Sequence, residues 1–534
     1  MRLWLAVLSA CLASVAHAQT KPFVFPEMRQ IWDREPAQPS EAERNARQAS
    51  EAFYRSRKYI DGWLAHADPK TGLIPRNLKN GRKNSPYWNG RDSAADNYSF
   101  MVLTASMTDR PLLEGRMLDM LRTETKLTCR VDRLPDDWLF ATQSWRREKV
   151  DLDAIIFEGA EYVKDGLLYI TEWLGPCPWS ERMIGIIDDI WKNPQVDTPF
   201  GKIPTLNLEV TGDLLQACSR LYWFTGDRKY FDWATRLGDY YLLGNHHPTR
   251  DVKELLLRDH ACEIINGLSE LYVICHQIAP EKKKAYEKPL HELYDRILEI
   301  ARDDRGLLYA KVNTRTGKHN DKMSDNWGYN YDGIYTAYLI DGTESYRDAV
   351  RKVLSNLPRF IGNFRGMDSL ADSIEGALNL FNREPCPPAA EYIESEIRSM
   401  WSIQKPDGVI EGWHGDGNFA RTSLMYALWK TQGCRVEPWR ADVRVGAVRD
   451  GEKLLVSLAA DKEWTGKLVF DRPRHKTNMH LPFDYTRINQ FPEWFTVKAG
   501  NSYTVGDHTY SGEDLAAGIP ITLQPGKELQ LKVK

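Results

Sequence analysis

Three short loops each set a carboxylate beside Trp and Gly: Tyr87-Trp88-Asn89-Gly90-Arg91-Asp92, Ser324-Asp325-Asn326-Trp327-Gly328-Tyr329 and Glu411-Gly412-Trp413-His414-Gly415-Asp416. Each stands just before an apolar helical run. Carboxyl groups held near one another, away from bulk water, separate in pKa, so that one keeps its proton near neutral pH while another is ionised. General acid–base catalysis needs such a split pair. Flat aromatic rings alongside suit ligands whose own rings carry apolar faces. Asp325 and Glu411 are the expected acid/base pair, with Asp92 in reserve.

Around them, Trp88, Arg91, Asn97, Arg258, Asn326, Trp327, Trp413, His414 and Arg421 are the expected ligand-binding residues, and His260 and Tyr329 are candidate bases. Further acids start the same helical runs: Asp96, Glu158, Glu161, Glu209, Asp259, Glu263, Asp332, Asp368, Asp372, Glu375 and Asp416. Asp259, Asp368 and Asp416 read equally well as helix N-caps. Glu158, Glu161, Asp372 and Glu375 read equally well as interhelical ion pairs. No phosphate-cradling glycine loop is present, so no cofactor is expected. No motif suggests an essential metal, though an acidic rim of this kind suits Ca²⁺.

The elements that position these residues repeat. From Glu41 to about Gln432 the texture is helical, in seven hairpins. The first helices are expected at 41–66, 112–126, 180–192, 228–243, 284–302, 344–361 and 388–403, and their partners at 92–107, 155–174, 209–225, 260–276, 328–340, 370–382 and 416–431. First helices are amphipathic; partners are apolar nearly all round and must be buried. That makes an outer and an inner ring. The turn back to the outer ring also repeats, as Thr225-Gly226-Asp227-Arg228-Lys229-Tyr230 and Asp341-Gly342-Thr343-Glu344-Ser345-Tyr346, with Gly to stop one helix and a Tyr to pack inward.

At Glu437-Pro438 the texture changes to alternating strands at 443–448, 454–458, 467–470, 495–497, 503–505, 519–523 and 529–533. The expected fold is mainly α: an (α/α)6 or (α/α)7 toroid over 41–436, then an all-β, sandwich-like domain over 437–534. Pro492-Glu493-Trp494-Phe495 is the one aromatic, acidic cluster of the β region, expected to pack on the ring or close one side of the bowl.

The chain has 534 residues and a net charge of -3, which gives no basic field for nucleic acid. It carries 18 Trp and 24 Tyr, more than helix packing needs. Residues 1–18 read as a signal peptide: Arg2, an apolar run from Leu3 to Val15, and Ala16-His17-Ala18 as the cleavage site. Export to the periplasm or the exterior is expected. A rival reading takes Leu8-Ser9-Ala10-Cys11 as a lipoprotein box. Residues 19–40 are Pro-rich and irregular. No other apolar run approaches the ~20 residues of a membrane span. Beyond the leader the chain has seven scattered cysteines without a C-x-x-C pair, so at least one has no partner within the chain.

This architecture resembles the (α/α) toroid carbohydrate-active enzymes, the six- and seven-hairpin glycosidases and polysaccharide lyases. The resemblance spans about 41–432 and the β domain, and rests on hairpin pattern and loop texture. It implies a poly- or oligosaccharide held at the N-terminal rim of the inner helices, and cleavage of a glycosidic bond by paired carboxylates. It leaves open β-elimination on a uronic-acid glycan, with Tyr329 or His260 as base and Arg91, Arg258 or Asn326 around the uronate. Tyr331-Asp332-Gly333-Ile334-Tyr335 is loosely similar to the Y-x-G-x-Y stretch of chondroitinase-type lyases, but Asn326 stands where that pattern has His. An acidic rim also repels an anionic substrate. A non-catalytic glycan-binding protein is the third reading.

Overall fold

The structure is a computed structural model and describes residues 39–78, 86–258, 261–488 and 490–534. The expected leader, most of the segment after it, and His260 lie outside the described residues.

Among the described residues, seven helical hairpins close into a ring. The outer helices are α1 (Glu41–Leu64), α3 (110–128), α5 (Pro178–Lys192), α7 (228–243), α9 (Pro280–Ile300), α11 (Glu344–Asn356) and α13 (Pro387–Trp401). The inner helices are α2 (90–108), α4 (152–174), α6 (Leu208–Thr225), α8 (Ala261–Ile278), α10 (Trp327–Asp341), α12 (Met367–Arg383) and α14 (Asn418–Thr431). Each inner helix packs on the next, and α14 returns to α2. This is the expected (α/α) toroid, in its seven-hairpin form.

Side-chain pattern explains the two rings. Every residue of α8 from Ala261 to Cys275 is buried, whereas the first turns of α7 bury only the stripe Tyr230, Phe231, Ala234 and Leu237. The return turns behave as their sequences predict. Gly226 and Gly342 end α6 and α10 in the left-handed conformation, at φ +72° and +67°, where a side chain would be strained. Asp227 then caps α7 by accepting from the Lys229 backbone N–H at 3.0 Å. Tyr230 and Tyr346 are buried, as the repeat implies. Inner helices approach very closely at one point beside the rim: a Cβ on Gly376 of α12 would lie 2.6 Å from the Gly328 Cα of α10.

After α14 the chain forms two antiparallel sheets. One runs His508–Ser511, Ser502–Val505, Glu528–Val533, Lys453–Ala460, Val443–Asp450; the other runs Ile519–Leu523, Trp464–Val469, Arg435–Glu437. Leu454, Val456, Leu458, Leu468 and Val533 fill the space between them. Residues 495–497 make only a single bridge, Thr496 to Asp471, in place of the expected strand. Strand Val443–Asp450 lies directly on α1, where Gly446 leaves room for the backbone of Ala46.

The segment between the sheets, from Asp471 to Phe495, crosses the ring at the C-terminal ends of the inner helices and fills it. Asn478 donates to the carbonyls of Glu172 and Trp173 at the end of α4. Arg487 donates to Glu172, Tyr485 to Glu270 of α8, and Thr486 to the Asp332 carbonyl of α10. Trp494 stacks on Trp429 with 6.2 Å between ring centroids. The Pro492–Phe495 cluster therefore packs on the ring at the end away from the rim.

All seven described cysteines are free thiols, with Cys218, Cys262, Cys275 and Cys434 buried. No helix among the described residues is long and apolar enough to cross a membrane.

Candidate active site

The N-termini of the inner helices meet at the open end of the ring. Two of these helices contain unusual backbone. α2 opens with the π-helical stretch Gly90–Tyr98, and α4 contains another, Tyr162–Leu167. A π turn widens the helix and shifts the side chains that follow, and such turns gather at functional sites. Here they carry Asp92 and Asp96, and Lys164 and Asp165. The two stretches touch: a Cβ on Gly166 would lie 2.2 Å from the Ser99 Oγ and 3.2 Å from the Ala95 Cα. Only Gly permits this approach, which sets Asp165 beside Asp96 across the α2–α4 seam.

Asp96 and Asp165 are both partly exposed, and their environments pull them in opposite directions. Burial, together with the charges of Asp165, Asp92 and Asp416, holds the Asp96 carboxyl well above the usual carboxylate range. Burial also acts to raise Asp165, but the Lys164 ammonium and a hydrogen bond from Glu161 outweigh it and hold the group below that range. Lys164 Nζ lies 2.6 Å from Asp165 and 2.7 Å from Glu263. Glu161 itself is raised by burial and by Asp213, so it is the proton donor in its bond to Asp165. The two neighbouring carboxyls are thus shifted in opposite directions.

His414 flanks this pair. Its Nε2 is 3.5 Å from both Asp92 and Asp96, and its Nδ1 lies 3.0 Å from the Gly415 carbonyl, so Nδ1–H donates there. Burial acts to lower its pKa, but the carboxylates of Asp92, Asp416 and Asp368 outweigh that and raise it. Asp92 is fixed by Arg76 Nε and Asn89 Nδ2, each at 2.5 Å. Burial opposes its charge, yet His414 and Arg76 hold it below the usual range. Asp92 is thus a buried carboxylate anchored by Arg76 and Asn89.

A second network stands behind α12. Arg421 reaches Asp372 at 2.8 Å, Glu375 at 2.9 Å and Asn418 at 2.9 Å. Tyr329 Oη lies 2.6 Å from Glu375 and 2.9 Å from Asp372, and Asn326 Nδ2 donates to Asp372 at 2.9 Å. Burial raises the Tyr329 phenol far above its ordinary value. It is a buried hydrogen-bond donor held between two carboxylates rather than open to a substrate. Asp368 is exposed at the mouth of the bowl, with Asp372 and Asp416 nearby.

The other expected residues separate into rim and core. Asp325 accepts from Ser369 Oγ at 2.6 Å. Glu411 accepts from the Leu78 backbone N–H at 2.6 Å, tying the 76–78 strap to the last loop. Arg91 lies 3.5 Å from Glu158 and over the Phe157 ring. Arg258 is exposed. Trp413 is 79% exposed, with Arg76 over its ring at 5.3 Å. Trp327 and Trp88 correct the sequence reading. Trp327 has no exposed surface and donates to Ser373 Oγ at 2.8 Å; Trp88 is buried edge-on to Tyr162. Both are core side chains with no face for a ligand. Asn97 is buried too, accepting from Tyr59 Oη at 2.7 Å.

The sequence placed Asp96, Glu161 and Asp368 at the rim without singling them out, and missed Lys164, Asp165 and Asp213. The available signal was the charged pair Lys164-Asp165 and Gly166 inside an apolar run.

No protein-family model matches the chain, and no curated protein matches it by sequence. Solved structures are similar to it at low identity. The GH76A α-1,6-mannanase of Salegentibacter sp. aligns over 70% of this chain and 98% of its own, at 9% identity and a TM-score of 0.39. The family 76 glycoside hydrolase (mannosidase) Bt3792 of Bacteroides thetaiotaomicron aligns over 71% and 99%, at 11% identity and a TM-score of 0.41. The cellobiose 2-epimerase of Bacillus thermoamylovorans aligns over 50% and 87%, at 12% identity and a TM-score of 0.39.

Proposed function

We propose that the protein is a carbohydrate-active enzyme that hydrolyses glycosidic bonds, with Asp96 as proton donor and Asp165 as its ionised partner. The observation that carries this reading is the Gly166 contact that brings these two partly exposed carboxyl groups side by side beside His414, their environments shifting them in opposite directions. Asp96 gives its proton to the leaving glycosidic oxygen. Asp165 either takes a proton from the attacking water or attacks the anomeric carbon itself, forming an ester that water then opens. His414 flanks Asp96 and Asp92, with its Nε2 at 3.5 Å from each. Trp413 supplies the exposed ring on which a sugar stacks. The surplus of acid at the rim favours a neutral glycan. Together with the leader read from the sequence, the proposed place of action is outside the cytoplasm.

The test is incubation of the full chain with neutral and uronate-containing glycans, following new reducing ends and the ultraviolet absorbance of an unsaturated product. Reducing ends without absorbance, lost in Asp96→Asn, support hydrolysis. Absorbance rising with the reducing ends means β-elimination and overturns the proposal.

A further inference from the structure

A second cleft lies between the ring and the β domain, at the C-terminal ends of α2 and α4 and so away from the rim. Its volume is about 780 Å³, within the range of small-ligand sites. Two guanidinium groups stand over one ring inside it: Arg435 at 4.9 Å and Arg474 at 4.6 Å from the centroid of Trp173. Other charges of the lining pair off locally, Arg57 with Asp109 at 2.6 Å and Arg110 with Glu114 at 2.7 Å.

The central cations do not balance in the same way. Arg474 is buried and uses Nε and Nη2 on Asp471 and the Phe491 carbonyl, but its buried Nη1 has no partner among the described residues. Arg435 has only Glu437, at 3.8 Å, beyond hydrogen-bond reach. Arg472 donates to the neutral Asn478 at 2.9 Å. Asp471 is taken up by Arg474, which Glu493 and Glu172 also face, so Arg435 is left with a distant Glu437 and Arg472 with a neutral amide, and the buried Nη1 of Arg474 has no partner among the described residues. A buried, unmatched N–H is costly, and an oxyanion is the complement of such a group.

We propose that this cleft binds an acidic sugar unit, its carboxylate received by Arg435 and the Nη1 of Arg474. Trp173 contacts both guanidiniums. A bare inorganic anion leaves most of the volume empty, whereas a short uronate chain fills it alongside Trp439. The site does not depend on the reaction proposed for the rim: its ligand is anionic, and the rim is built against anions.

The test is calorimetric titration of the full chain with tri-galacturonate, with maltotriose as a neutral trimer of similar size and with sodium sulfate. Wild-type protein is expected to bind tri-galacturonate saturably, and more weakly as salt rises. Arg435→Gln is expected to lower that affinity about tenfold or more, the loss of a charge-assisted hydrogen bond, with its melting temperature and the maltotriose response unchanged. Arg472→Gln serves as a second variant and is expected to weaken binding less. No binding of tri-galacturonate by the wild type, or equal binding by Arg435→Gln, overturns the proposal. Sulfate binding as tightly as the trimer overturns the sugar class.

Discussion

Arg487 and Glu172 meet at 2.6 Å across 315 positions of sequence, and both are closed to solvent. Glu172 belongs to the second inner helix, and Arg487 to the segment that leaves the β domain to fill the ring. The pair shows that the floor of the bowl is not made by the ring. It is delivered from the far end of the chain.

Breaking that pair leaves a charge buried without its partner, at a cost of about 3–5 kcal/mol. Arg487→Leu is therefore expected to lower the urea midpoint sharply. Adding Glu172→Leu to the same chain is expected to recover much of the loss, since the orphaned carboxylate goes too.

At the rim, Asp96→Asn and Asp165→Asn are each expected to lower kcat by about 10²–10⁴, the usual contribution of a positioned acid or base. The unfolding midpoint of Asp96→Asn should stay near the wild-type value, while Asp165→Asn, which removes a partner of the buried Lys164, should lower it. Glu411→Gln acts through the 76–78 strap and is expected to raise KM with a smaller effect on kcat.

The two tryptophans of the acid-bearing loops are expected to behave in opposite ways. Trp413→Ala removes an exposed ring and should weaken glycan binding with no change in melting temperature. Trp327→Ala empties a core site and should cost about 3–5 kcal/mol of stability. Thermal melts and glycan titrations of both variants check this.

Stability should fall as pH rises through the neutral range. Burial and Asp137 push Glu158 up to about 8, and burial pushes Glu263 up to about 7. The folded chain holds these protons where the unfolded chain has lost them. Their contribution is full below the ordinary carboxylate range and is lost as pH climbs towards about 8 for Glu158. Melting temperatures from pH 5 to 8 should decline, and Glu158→Gln should flatten the slope. Catalysis should show a separate alkaline limb as Asp96 gives up its proton, absent from Asp96→Asn.

The ring was legible because its signals are local and repeated. The stripe of α7 against the wholly apolar face of α8, and Gly226 and Gly342 at matching turns, each state their role within a few residues. The site was less legible. Trp327 and Trp413 have similar neighbours in sequence, yet one is swallowed by the Gly328–Gly376 contact and the other stands in solvent. Helical spacing failed at α2 and α4, where π turns change which side chains share a face, so Asp165 was hidden inside an apolar run. Arg487 gave no sign of its destination, because nothing near it in sequence contains Glu172.

The filled ring also bears on how the protein is made. Synthesis runs from the N-terminus, so all the ring helices leave the ribosome before the segment that occupies their centre exists. Until residues 471–495 arrive, Glu172 faces a hollow with no counter-charge, and α1 waits for the strand that covers it. A message cut short before residue 471 would encode every acid of the rim and still yield a bottomless ring. Residues 471–495 thus complete the ring only after every acid of the rim has been made.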